Sequence, residues 1–194
     1  GHPLKVTGTH IDMTKEKQYE EQLALLANHD PLTGLANRHA LITQFDEHKL
    51  AGPLCVAFID LDNFKHVNDT LGHRSGDELL IQLSRRLRET CPPGTTIGRL
   101  GGDEFVLLLP FALADATIHR AAQDLLHAVL TPFDLDNGVG SVGASIGIDE
   151  VQPQDSFVEA LTRADEAMYH IKHSGKNGVA MGATLISIFP RLIA

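Results

Sequence analysis

The sequence predicts an α+β domain: a central antiparallel-mixed sheet with a βαββαβ core, surrounded by helices. Three observations carry that expectation. The run "PLCVAFID" has no polar alternation until its end, as a strand buried on both faces requires. In "SGDELLIQLSRRLRE", Leu79, Leu80, Leu83 and Leu87 share one helical face. From residue 53 to 149 the signals run strand, helix, strand, strand, helix, strand. That order is the split βαβ, ferredoxin-like arrangement, with its crossover helices on one face of the sheet.

The elements follow from local chemistry. "PLKVTGTHIDMT" reads as one strand and its exit. "TKEKQYEEQLALLANHD" is polar and helical, with Tyr19, Leu23 and Leu26 forming a narrow apolar seam of barely two heptads. That seam fits either a short two-stranded coiled coil or a connecting helix packed on its own domain. "DPLTGLANR" is turn-rich, and Asn37 is placed as the N-cap of a helix over 38–49, stopped by Gly52-Pro53. "DNFKHVND" begins a short helix after the first buried strand. "TTIGRL" and "FVLLLP" are strands joined across Gly101-Gly102, which tolerates the positive φ of a tight turn. "LADATIHRAAQDLLHAVL" is a helix. "SVGASIGID" is a strand with Val142, Ala144, Ile146 and Ile148 on one side, "SFVEALTRADEAMYHIKHSG" is the last long helix, closed by Gly175, and "NGVAMGA" reads as a final strand. The expected organisation is an upstream remnant (1–12), a linker helix (13–28), the main domain (29–180) and a C-terminal tail (181–194).

Composition bounds the function. The chain has 194 residues, 43% apolar and 21% charged, with a formal net charge of −9. So acidic a chain is a poor general binder of nucleic acid or of an anionic membrane surface. The apolar stretch "MGATLISIFPRLIA" is too short to span a bilayer and is broken by Pro190 and Arg191. No signal peptide is read at its start, and two cysteines fit a reduced, cytoplasmic protein better than a disulfide scaffold.

The chemistry concentrates where Asp60 ends a buried strand and Asp103 and Glu104 ride the neighbouring turn. Carboxylates converging at one sheet edge repel unless a cation neutralises them, and hard oxygen donors suit Mg²⁺ or Mn²⁺. Such a site completes its shell with phosphate oxygens and supports phosphoryl or nucleotidyl transfer. Acidic residues beside a hairpin are also commonly solvated turn residues. An EF-hand is excluded, because Lys65 stands where its invariant Gly belongs and Leu71 where its bidentate Glu belongs. The N-terminus of the "DNFKHVND" helix offers free N–H groups to an anion, and Lys65, Lys172 and Lys176 are candidate phosphate ligands. The two later lysines equally suit the C-terminus of their own helix. Ser145 in "GASIG" lies in a strand with no helix following, so it reads as structural and not as a nucleophile elbow. "GVGSVG" leads into that same strand, not into the helix a dinucleotide fingerprint needs. The eleven histidines show no zinc spacing.

These residues resemble a known family. "RLGGDEF" (99–105) is similar to the signature of GGDEF domains, the diguanylate cyclases. "HDPLTGLANR" (29–38), "FIDLDNFKHVNDTLGHRSGDELL" (58–80) and "ADEAMYHIKHSGKN" (164–177) resemble other blocks of that family in the same order. The resemblance implies a nucleotidyl-cyclase-like version of the sheet. It also implies condensation of two GTP into cyclic di-GMP, with one GTP held by each domain of a homodimer. By motif position it implies metal ligation by Asp60, Asp103 and the Leu61 carbonyl, with Glu104 beside the metal as a ligand or proton acceptor. It further implies guanine contacts from Asn68 and Asp77, a triphosphate pocket shaped by Phe64 and Lys65, and phosphate contacts from Lys172 and Lys176. Lys176 stands where many members carry Arg, so a bidentate contact is lost there. Pro92-Pro93-Gly94-Thr95 replaces the Arg-x-x-Asp motif through which many members bind product, so product inhibition through that site is not expected. "VTGTHIDMTKEKQYEEQL" (6–23) resembles the last strand and output helix of a PAS sensor domain, which implies an upstream sensor in a longer chain. A catalytically silent GTP-binding regulatory module is the alternative function.

Overall fold

In the computed structural model the described residues are 26–182 and 184–188. The expected strand at 1–12, the PAS-like resemblance and most of the linker helix 13–28 lie outside them. The elements in chain order are α1 (Arg38–Ala51), β1 (Cys55–Asp62), α2 (Phe64–Leu71), α3 (His73–Thr90), β2 (Thr96–Gly101) and β3 (Glu104–Leu109). Then come α4 (Ala116–Leu130), β4 (Phe133–Leu135), β5 (Gly138–Gly140), β6 (Gly143–Glu150), α5 (Phe157–His173), β7 (Gly178–Met181) and β8 (Thr184–Ile188).

The main sheet runs β2-β3-β1-β6-β7-β8. All neighbours are antiparallel except β6 and β7, so the sheet is mixed. Its first four strands have the ferredoxin-like order, with β1 between the β2–β3 hairpin and β6. The fold is α+β, as expected.

Strand β1 is buried on both faces, and its period of two divides the core. Cys55, Ala57, Ile59 and Leu61 join the cluster formed with Leu79, Leu83 and Leu87 of α3 and Leu125 and Val129 of α4. Val56 and Phe58 join the opposite cluster with Leu41 and Phe45 of α1 and Phe157, Ala164 and Met168 of α5. The two crossover helices therefore share one face, and α1 and α5 cover the other.

Helix boundaries follow the expected capping chemistry. Asn37 caps α1 by accepting the Ala40 N–H at 3.0 Å. Ser156 and Glu159 form a capping box on α5. Two features escape the sequence reading: β8, which falls in the stretch 181–194 read as a tail yet pairs antiparallel with β7 as the last strand of the main sheet, and the β4–β5 hairpin, which forms a separate two-stranded sheet. Its turn Asp136-Asn137-Gly138 is a recognisable hairpin dipeptide with a flank, but the three-residue strands show no alternation to detect. No helix among the described residues is long and apolar enough to cross a membrane.

Candidate active site

Strand register assembles the acidic edge. Asp60 lies opposite Glu104 of β3 and opposite Ser145 of β6. One residue on, the Leu61 N–H donates to the Asp103 carbonyl at 3.2 Å, so the turn is stitched to the end of β1. Gly102 in that turn adopts φ +52°, a left-handed conformation glycine enters without steric cost. On the far side, Lys172 of α5 reaches down and places Nζ 2.8 Å from Oδ2 of Asp60.

The electrostatics agree with crowded carboxylates. Burial pushes the Asp103 carboxyl above its usual value and the Asp60 charge adds to the effect, while a backbone hydrogen bond, Lys172 and Arg99 oppose it. Burial likewise raises Glu104, helped by the negative charges of Asp60, Asp103 and Asp165. Burial alone would depress Lys172. Its hydrogen bond to Asp60 and the charges of Asp60, Asp62 and Asp103 outweigh that, and the ammonium is held above its ordinary range. A divalent cation would relieve the strain on the carboxylates and free the lysine for another anion.

Among the described residues, no three His, Cys, Asp or Glu side chains stand arranged to hold a metal together. The candidate donors, two carboxylates and a backbone carbonyl, suit a hard divalent cation that keeps several waters and takes substrate phosphates instead of a full protein cage.

The base-contact candidates gather at the corner between α2 and α3. Phe64 opens α2 and is buried, behind Asn63 in a left-handed conformation that makes no side-chain cap. Asn68 lies against Gly76 so closely that a Cβ there would sit 1.9 Å from the Asn68 Oδ1. Asp77 follows Gly76 and is exposed, and Lys65 is exposed on α2. The β4–β5 turn braces this corner: Asn137 donates to the Leu71 carbonyl at 3.2 Å and to the Ser75 hydroxyl at 3.1 Å. Backbone N–H of Asp136 donates to Glu78 at 3.0 Å. Lys176 lies in the turn after α5, with φ +69°. The structure thus joins Asp60, Leu61, Asp103, Glu104 and Lys172 at one edge, and Phe64, Asn68 and Asp77 at the adjoining corner.

Several supporting residues were not singled out from sequence. Arg99 donates to the Gly102 carbonyl at 2.8 and 3.0 Å and to both Asp30 oxygens at 3.0 and 3.2 Å. Asp30 also accepts from the Thr33 hydroxyl and N–H at 2.6 and 2.9 Å. The turn bearing Asp103 is therefore clamped to the loop before α1. Both residues lie within the blocks "HDPLTGLANR" and "RLGGDEF", which was the available signal. Asp62 is a second case. It is buried at the end of β1, and Ser145 is confirmed as structural by donating its hydroxyl to it.

Comparison with known proteins places this geometry. Residues 27–178 match the family described as "Diguanylate cyclase, GGDEF domain". The chain is 36% identical over 188 residues to diguanylate cyclase DgcM of Escherichia coli, covering 91% of this chain and 45% of that protein. It is 38% identical over 181 residues to the bifunctional diguanylate cyclase/cyclic di-GMP phosphodiesterase MucR of Pseudomonas aeruginosa, covering 88% of this chain and 26% of that protein. The chain thus spans less than half the length of these curated relatives. Among solved structures it superposes on the coiled coil and GGDEF domain of DgcB from Caulobacter crescentus, in complex with c-di-GMP, with a TM-score of 0.75 and 28% identity. That match covers 88% of this chain and 93% of DgcB's. It also matches diguanylate cyclase SiaD of Pseudomonas aeruginosa, in complex with its activator SiaC, with a TM-score of 0.74 and 31% identity over 88% of this chain and 68% of SiaD's. With its signature turn held beside the tip of β1 and the match running from the loop before α1 to the start of β7, this chain belongs to the GGDEF domain family.

Proposed function

We propose that this domain is a diguanylate cyclase, condensing two GTP into cyclic di-GMP with release of two pyrophosphates. The observation that carries the reading is the juxtaposition at one sheet edge of Asp60, the Asp103–Glu104 turn and Lys172, beside the Asn68–Asp77 corner. Asp77 and Asn68 contact guanine. A carboxylate there accepts from the N–H groups of the guanine pairing edge, which adenine does not offer, and such sites reject an unmatched base by about 10⁴-fold.

Lys172 and Lys176 hold phosphate oxygens, with Phe64 and Lys65 shaping the triphosphate pocket. Asp60, Asp103 and the Leu61 carbonyl would hold Mg²⁺ or Mn²⁺, which when bound supplies neutralisation of the α-phosphate oxygens and of the leaving pyrophosphate. The 3′-hydroxyl oxygen of one GTP bonds to the α-phosphorus of the other as the bond to pyrophosphate breaks. The hydroxyl proton passes to Glu104, which lies opposite Asp60 at the acidic edge, or to solvent. The same step in the opposite sense closes the ring.

Each domain binds one GTP, so a homodimer is the catalytic unit. An upstream PAS-like sensor in a longer chain controls the pairing through the segment 13–28, and the site works in the cytoplasm without nucleic acid and without membrane insertion. Incubation with GTP and Mg²⁺ followed by mass identification of the product tests the activity. Cyclic di-GMP is expected; GTP recovered unchanged at every protein concentration would refute it and leave a silent GTP-binding module.

A further inference from the structure

Asp62 is a charged side chain that the proposed chemistry does not use, yet it is only 2% exposed. It stands two residues beyond Asp60 on β1 and so faces the same side of the sheet. Burying a carboxylate is costly unless its lone pairs are met by donors. Here they are met by two elements remote in sequence. The Ser145 hydroxyl of β6 donates to Oδ1 and Oδ2 at 3.1 and 3.0 Å, and the Asn177 backbone N–H donates to Oδ2 at 3.0 Å.

The second donor matters because of where it lies. Asn177 ends the turn that follows α5, and both it and Lys176 hold left-handed φ values, +52° and +69°. Asparagine enters that region readily but lysine does not, so the turn at Lys176 is held by its surroundings. Three contacts hold it. The Lys176 N–H donates back to the Ile171 carbonyl at 3.0 Å, and the Asn177 N–H is held by Asp62. The Asn177 side chain fills the space over Gly143, where a Cβ would come within 1.6 Å of its Oδ1. This pinned turn carries Lys176 and closes the helix that carries Lys172, whose ammonium already reaches Asp60 at 2.8 Å.

We infer that Asp62 is a positioning residue: by tying the turn after α5 to the tips of β1 and β6, it aims Lys172 and Lys176 at the β- and γ-phosphates of the bound nucleotide. The inference rests on the reading of those lysines as phosphate ligands. It differs from a role in stability alone, because loss of the tie weakens the grip on terminal phosphates and leaves the hold on the base unchanged.

The test compares affinity for GMP with that for a GTP analogue carrying a methylene in place of the α,β-bridging oxygen, by calorimetry in Mg²⁺ buffer. Asp62→Ala is expected to lower the triphosphate-over-monophosphate preference about tenfold, the scale of one charge-assisted hydrogen bond misplaced, with GMP affinity within about twofold of the parent. Asp62→Asn, whose amide can accept the Asn177 N–H and donate to Ser145, is expected to restore most of that preference. If Asp62→Ala does not fold, Gly143→Ala carries the test, since its added methyl displaces Asn177 from the other side and should lower the same ratio. An unchanged preference in these variants overturns the positioning role and leaves the cyclase reading intact. A parent protein with no preference for the triphosphate overturns both.

Discussion

Removing the guanidinium of Arg99 should loosen the signature turn and destabilise the whole domain. The Arg99 and Asp30 side chains are 10% and 14% exposed, so the pair is neither a surface ion pair nor fully dry. Exposed pairs contribute about 0–1 kcal/mol, and stripping one partner from a buried pair costs about 3–5 kcal/mol. Arg99→Ala also removes both hydrogen bonds to the Gly102 carbonyl. A loss of about 3 kcal/mol is the reasonable centre, or roughly 6–12 °C in Tm for a domain of this size.

The pH dependence gives a second, signed readout. Burial by itself would raise the Asp30 carboxyl, but the Thr33 hydrogen bonds and Arg99 prevail and hold it below the ordinary 3.8. The unfolded chain therefore binds the proton more readily, and the contribution is complete above about pH 4 and fades as pH falls through the lower folded value. Urea denaturation of the parent, Arg99→Ala, Asp30→Asn and the double variant should show coupling of at least about 1 kcal/mol at pH 7, shrinking as the pH falls below the ordinary carboxylate value. Strictly additive effects at pH 7, or an Arg99→Ala midpoint equal to the parent's, would refute the clamp.

Other expectations concern the site. Asp103→Ala should abolish cyclic di-GMP formation while leaving the circular dichroism spectrum and Tm near the parent's; wild-type turnover would remove Asp103 from the mechanism. Asp77→Ala should weaken GTP by about 10–100-fold, the effect of losing one or two hydrogen bonds to the base, and narrow the gap between GTP and ATP in competition binding. Gly76→Ala should act similarly, because its Cβ would overlap the Asn68 amide, and should cost about 1–3 kcal/mol in denaturation. Initial rate should rise faster than linearly with enzyme concentration while monomer dominates; strict proportionality would contradict the two-domain mechanism. Added cyclic di-GMP should not inhibit through residues 92–95, where neither arginine nor carboxylate is present, and calorimetry showing tight binding there would overturn that expectation.

Much of this molecule is legible locally. The buried strand of Asp60, the leucine face of α3, the Asn37 cap and the glycine turn before Asp103 each depend on neighbours a few residues away, and each appears where the sequence puts it. The acidic edge was accessible for the same reason, since a carboxylate ending a strand buried on both faces needs a cation or a turn to explain it. The β4–β5 hairpin was not, because three-residue strands are too short to carry a period.

From the sequence alone come the candidate side chains at the acidic edge and the order of the strands that hold them. Only the tertiary structure decided what supports them: Asp62 meets Ser145 across 83 residues and Asn177 across 115, and Arg99 meets Asp30 across 69. No local pattern encodes such pairs, because a hydrogen bond between distant residues exists only after strand register and helix packing have brought donor and acceptor within about 3 Å.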